Sequence, residues 1–147
     1  MQVQAYLFFD GRCEEAIEFY RTALGANVDM IMRFEDNPDL KEAPENFKHD
    51  ASCMPPPPGS AEKIMHASFR IGETTIMASD GNCTGKPVFQ GVSLSITVPG
   101  DAKAHELFGK LAEGGQIQMP LEKTFFASSF GMVTDRFGVN WMIVAAS

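Results

Sequence analysis

The chain has 147 residues, 44% of them hydrophobic and 21% charged, with a formal charge of −7. That length suffices for one domain whose core needs no staples, and the ordinary composition argues against disorder. The acidic balance leaves no basic footprint for nucleic acid, and no apolar run nears the roughly 18 residues of a membrane span. The opening "MQVQAYLFFDG" lacks the basic and then apolar pattern of a signal peptide. Cys13, Cys53 and Cys83 make an odd count without close pairing, which reads as reduced thiols in a cytoplasmic protein.

A first strand is expected near Gln2–Phe9, then a turn at Gly11. Cys13, Ala16, Ile17, Tyr20 and Leu24 form one apolar helical stripe, which Gly25 ends. Strands follow at Asn27–Phe34, Lys63–Ile71 and Thr74–Ser79, the last two joined by a turn at Gly72-Glu73. Between Glu35 and Ala61 lies an insertion rich in acids and proline. Pro55 to Pro58 forbid ladder hydrogen bonds, so the segment reads as a lid, a partner contact or a mobile loop. His49 and Cys53 within it are spaced H-x-x-x-C, but Cys53 stands before a proline run without a helix N-terminus or basic neighbour to lower its pKa and reads as an inert thiol.

A loop from Asp80 to Pro87 leads to a second series. A strand is expected near Gly91–Val98, then a helix with Asp101 as N-cap and a stripe of Ala104, Leu107, Phe108 and Leu111. His105 falls on that helix's polar side. Gly114-Gly115 stops it, and strands follow at Gln116–Met119, Phe130–Thr134 and Val139–Ala145. Turn residues Asp135 to Gly138 introduce the last of these.

The two series are a weak internal repeat. Gly11, Phe19, Gly25 and Val28 stand opposite Gly100, Phe108, Gly114 and Ile117 at a constant offset of 89 positions. The expected fold is α+β, with two βαβββ modules enclosing a concave mixed β-sheet cavity. The reading is one domain over 1–147, with module one at about 1–80, the insertion at 36–60 and module two at about 91–147.

Strand alternation assigns the faces. Leu7, Phe9, Ala67, Phe69, Ile71, Ile76, Leu94, Ile96, Val98, Trp141 and Ile143 belong under the helices. The opposite face carries Gln4, Tyr6, Phe8, His66, Ser68, Arg70, Met77, Ser79, Ser93, Ser95, Thr97, Asn140 and Met142, a mixed surface suited to a small molecule. Arg70 reads as an anion clamp or as the partner of an acid near the sheet edge. His66 reads as a general base, a hydrogen-bond partner or a strand cap. Phe125 and Phe126 are candidates for a pocket wall, satellite core or dimer contact.

"YLFFDGRCEEAIEFY", "IMHASFRIGETTIMASD" and "KTFFASSFGMVTDRFGVNWMI" closely resemble the PhnB-like family of the vicinal oxygen chelate superfamily, which includes glyoxalase I and the extradiol dioxygenases. The resemblance implies a paired βαβββ fold and a homodimer. It also implies metal-ligand positions on the first and last strand of each half. These fall on Gln4 (or Ala5), Met77, Ser93 and Met142, and of these only Gln4 is a ligand type for a divalent metal. The ancestral metal site therefore reads as lost, with no metal and no cofactor expected. Members often carry the label 3-demethylubiquinone methyltransferase or DNA-binding. This chain shows neither a glycine-rich cofactor loop nor a basic patch. Three functions stay open: a metal-free small-molecule binder, an enzyme using His66 or a relocated metal, and an interaction protein docking through its insertion.

Overall fold

The structure is a computed structural model that describes residues 1–36, 61–81 and 87–146. Almost all of the Pro-rich insertion, with His49 and Cys53, lies outside the described residues, as does Cys83. The chain forms two compact units, Met1–Pro87 and Val88–Ser147.

The first unit runs β1 (Tyr6–Phe8), α1 (Cys13–Leu24), β2 (Asn27–Arg33), a 3₁₀ turn (Phe34–Asp36), β3 (Ile64–Ile71) and β4 (Thr74–Ser79). Its sheet order is β1-β4-β3-β2, with β1 parallel to β4 and the other pairs antiparallel. The second unit runs β5 (Leu94–Val98), α2 (Asp101–Ala112), β6 (Gln116–Glu122), β7 (Ser129–Thr134) and β8 (Asn140–Ala145). It repeats the arrangement as β5-β8-β7-β6, with β5 parallel to β8. The architecture is α+β, a βαβββ unit twice.

Each helix covers one sheet face. In the first unit Phe9, Tyr20 and Phe69 form an aromatic core, with ring centroids 6.2 and 6.0 Å from Tyr20. In the second, Leu111 packs with Val133, Trp141 and Ile143, all essentially inaccessible. A methyl group at Gly131 would stand 2.7 Å from the Phe108 ring, so the missing side chain lets α2 approach β7.

Several local details depart from the sequence reading. The opening strands are short: β1 starts at Tyr6 and β5 at Leu94, where their ladders to β4 and β8 begin. Conversely, β6 continues through Pro120 to Glu122, which an edge strand tolerates because one side needs no amide donor. Ala23, not Leu24, completes the buried stripe of α1. Gly25 ends that helix in the left-handed region at φ 67°. Asp101 is not the cap of α2. Gly100 holds that position in extended backbone, while Oδ1 of Asp101 accepts the hydroxyls of Ser128 at 2.6 Å and Ser129 at 2.7 Å.

Candidate functional site

Two buried aspartates build the frames that carry the exposed faces. Asp80, at the end of β4, accepts the N–H groups of Gly11 (2.9 Å) and Cys13 (2.7 Å) on Oδ1 and that of Ile64 (2.7 Å) on Oδ2. It thus caps α1 from a distance, where Arg12 supplies no side-chain cap. It also ties the β1–α1 turn to the start of β3. Asp135 does the same for β8, accepting Phe137 and Val139 N–H on Oδ1 and the Trp141 indole N–H on Oδ2 at 2.8 Å.

On the helix-free face of the first unit, register places Tyr6 beside Met77 and Met77 beside Ser68. The Tyr6 hydroxyl and His66 Nδ1 are 2.9 Å apart and share a hydrogen bond. Their rings tilt together at 5.5 Å, and Phe8 lies 5.0 Å from Tyr6 at the rim, 55% exposed. Tyr6, His66, Ser68 and Met77 are half-buried, and so is Gln4, two residues ahead of β1. Ser79 is buried and accepts the Gly81 N–H. Arg70 pairs with Asp29 of β2, its Nε reaching both carboxylate oxygens at 3.0 and 3.1 Å. Both partners are well exposed, so the pair contributes little to stability.

On the helix-free face of the second unit, Met142 stands between Ser95 of β5 and Met132 of β7. Asn140 is engaged at both ends of its amide. Its Nδ2 donates to the carbonyls of Phe89 (2.8 Å) and Val92 (3.2 Å), and its Oδ1 accepts the Thr134 hydroxyl at 2.7 Å. Gln118 donates in turn to Thr134 Oγ1 at 3.2 Å. Asn140 therefore pins the approach to β5. Ser93 is half-buried just before that strand, and Ser95 and Thr97 are exposed. Phe126 packs edge-on against Phe130 at 5.1 Å and against Phe125 at 5.2 Å, with Phe125 fully exposed. His105 is exposed on α2.

Thr134 and Met132 were within reach of the sequence, since period-two counting along "SFGMVT" puts both on the Met142 face. Gln118 and Met119 were not, because a register shift between Ile117 and Met119 decides their placement. The Cys13 thiol is buried in the α1 core. Burial first, then the charges of Asp80 and Glu14, push it far above the ordinary thiol range. It is an inert core residue.

Residues 1–144 match the family model described as 3-demethylubiquinone-9 3-methyltransferase. The chain belongs to this family. It is 36% identical to protein YjdN of Escherichia coli (strain K12) over 143 residues, which is 97% of this chain and 94% of that one. Among solved structures it is similar to protein PA1353 from Pseudomonas aeruginosa, at 39% identity and TM-score 0.80, covering 99% and 98% of the two chains. The PhnB protein from Bacillus cereus follows at 26% identity and TM-score 0.77, covering 99% and 100%. The fold alone is shared at 13% identity and TM-score 0.63 with a glyoxylase/bleomycin resistance protein/dioxygenase domain from Frankia sp. EAN1pec, with coverage of 100% and 98%.

This PhnB-like chain thus has the glyoxalase fold, and the divalent-metal positions of that superfamily can be tested against its residues. Where the resemblance places them, they would hold an amide at Gln4 (or a methyl at Ala5), a hydroxyl at Ser93 and two thioethers at Met77 and Met142. That donor set fits neither the hard nor the borderline divalent ions, which take carboxylate and imidazole. Among the described residues, no three His, Cys, Asp or Glu side chains gather as a metal site. No helix among them is long and apolar enough to cross a membrane.

Proposed function

We propose that this PhnB-like protein is a small-molecule-binding module whose ligand contacts lie on the helix-free sheet faces, with no divalent metal at the superfamily positions. The observation that carries the reading is the Tyr6–His66 hydrogen bond. Two half-buried polar groups are held at 2.9 Å among Phe8, Met77 and Ser68. A few oriented polar atoms on an otherwise apolar floor are what a small-molecule site requires. The remaining contacts of the reading are Gln4 and Arg70 on the first unit and Ser93, Ser95, Asn140 and Met142 on the second. The description of the family speaks of methyl transfer, but the chain shows no glycine-rich cofactor loop that would support that reading. The acidic charge and the absence of a basic patch argue against nucleic acid as a partner.

The same hydrogen bond supports a second reading, an enzyme using acid–base chemistry. With Nδ1 of His66 occupied by Tyr6, Nε2 is the nitrogen left to exchange a proton with a substrate. A melting-shift screen of chelator-treated protein against metabolite classes tests both readings. A true ligand raises the melting temperature of the wild type, and His66→Ala or Tyr6→Phe weakens that shift. Equal stabilisation of all three proteins removes the face from the account. Turnover of a hit, abolished in His66→Ala, selects the second reading. The protein is further proposed to be a homodimer, with Val28 and Ile31 exposed on edge strand β2 as contacts. Sedimentation as a monomer at micromolar concentration would exclude that.

A further inference from the structure

Three methionines stand side by side on the helix-free face of the second unit. Met119 of β6 is the register partner of Met132 of β7, and Met132 is the partner of Met142 of β8. Neighbouring strands lie about 4.8 Å apart, so three thioethers share a strip roughly 10 Å wide. None of them is core: Met119 is 44% exposed, and Met132 and Met142 are half-buried. The core positions of the same strands, Val133, Trp141 and Ile143, point to α2 instead. The first unit has methionines on its corresponding face but not this arrangement. There Met30 and Met77 each partner Ser68, and Met32 partners His66, so no two methionines are direct neighbours across strands.

We propose that the Met119–Met132–Met142 row binds a soft monovalent cation of the Cu(I) or Ag(I) type. Thioethers are neutral, polarisable donors that select soft cations and ignore hard ones. A cation holding three sulfurs at about 2.3 Å, the length of a zinc–thiolate bond, spaces them roughly 4 Å apart. Neighbouring pairs in the row start close to that spacing, while the outer two, about 10 Å apart at the backbone, lean in over Met132 on their long unbranched side chains to complete the set. Thioethers carry no proton to lose, so the site stays competent at acidic pH, where imidazole and thiolate sites fail. The chain's charge of −7 accommodates an added positive ion. The site shares Met142 with the small-molecule reading but does not rest on that reading, and it uses none of the residues of the first unit.

The test uses the full-length chain with Cys53→Ser and Cys83→Ser, so that thiolates do not compete, labelled with ¹³C at the methionine methyl groups. Silver nitrate is titrated in chloride-free buffer. One Ag(I) per chain is expected by native mass spectrometry. The methyl signals of Met119, Met132 and Met142 should move together and saturate at one equivalent, while Met30, Met32 and Met77 hold still. Met132→Leu should weaken binding at least tenfold, and Met77→Leu should not change it. Absence of bound silver, shifts spread over both units, or unchanged affinity in Met132→Leu overturns the proposal. If Met132→Leu does not fold, Met142→Leu takes its place, and the wild-type methyl pattern decides by itself.

Discussion

Replacing Asp80 with Asn should destabilise the protein far more than its single-atom change implies. Asp80 is 1% exposed and accepts three backbone N–H groups through both oxygens. An amide has one acceptor oxygen. If that oxygen keeps Gly11 and Cys13, the new NH₂ faces the Ile64 N–H and leaves a buried donor unpaired, at a cost of about 1–3 kcal/mol. Removing the charge at the start of α1 costs roughly a further 0.3–1 kcal/mol, and the surviving bonds lose their charge assistance. A total of about 2–4 kcal/mol corresponds to a fall in melting temperature of roughly 4–16 °C for a chain of this size. Thermal and urea melts measure the loss, and hydrogen exchange locates it. The Gly11, Cys13 and Ile64 amides should lose protection before those of β7 and β8. A change below about 1 kcal/mol, or exchange that accelerates first in the second unit, refutes the idea that this carboxylate holds the β1–α1 turn to β3.

Other consequences follow from single groups. In Gly115→Ala the new methyl overlaps the Thr134 carbonyl oxygen and stands 2.9 Å from Asp135 Cα, both backbone atoms. The expected loss is about 3 kcal/mol, at the upper end of overpacking, and an unchanged melt contradicts it. Iodoacetamide at pH 8 should leave Cys13 unmodified in the folded protein and alkylate it in urea, as read by peptide mapping; labelling in the native state would contradict its burial. The Arg33 guanidinium, hydrogen-bonded to Glu14 at 2.9 and 3.0 Å, holds that carboxyl below the usual glutamate range. A depressed folded pKa means stability present above the ordinary value, about 4.3, and lost as pH falls through the folded one. Carboxyl NMR should show Glu14 titrating below the ordinary glutamate value, and Arg33→Gln should bring it back.

The hydrophobic pattern made the layers legible. Period-two alternation in "NWMIVA" separates Trp141, Ile143 and Ala145, all buried, from Asn140, Met142 and Val144, all half-buried. The same logic placed Tyr6, His66 and Met77 on one face, since strand neighbours in a βαβββ unit follow from the topology. Long-range polar partners were not legible. Nothing local to Arg70 names Asp29, 41 residues away, and nothing local to Asp80 names Gly11 or Ile64. Such pairs depend on register and on which edge strand lies opposite. Asp101 shows the limit of local rules, since a capping residue type stands one position past the cap and accepts the hydroxyls of Ser128 and Ser129 instead.

The central claim is that small-molecule binding at the Tyr6–His66 face needs no divalent metal. The most direct measurement is NMR of the full chain, stripped with chelator, labelled at the Met methyl groups and His rings, and mixed with a size-filtered extract of small metabolites. The account predicts shifts of the Met77 methyl and the His66 ring without added metal, unchanged when Mg, Mn, Zn or Ni is restored. Shifts at Met77 and His66 that appear only after one of those ions is returned would contradict it.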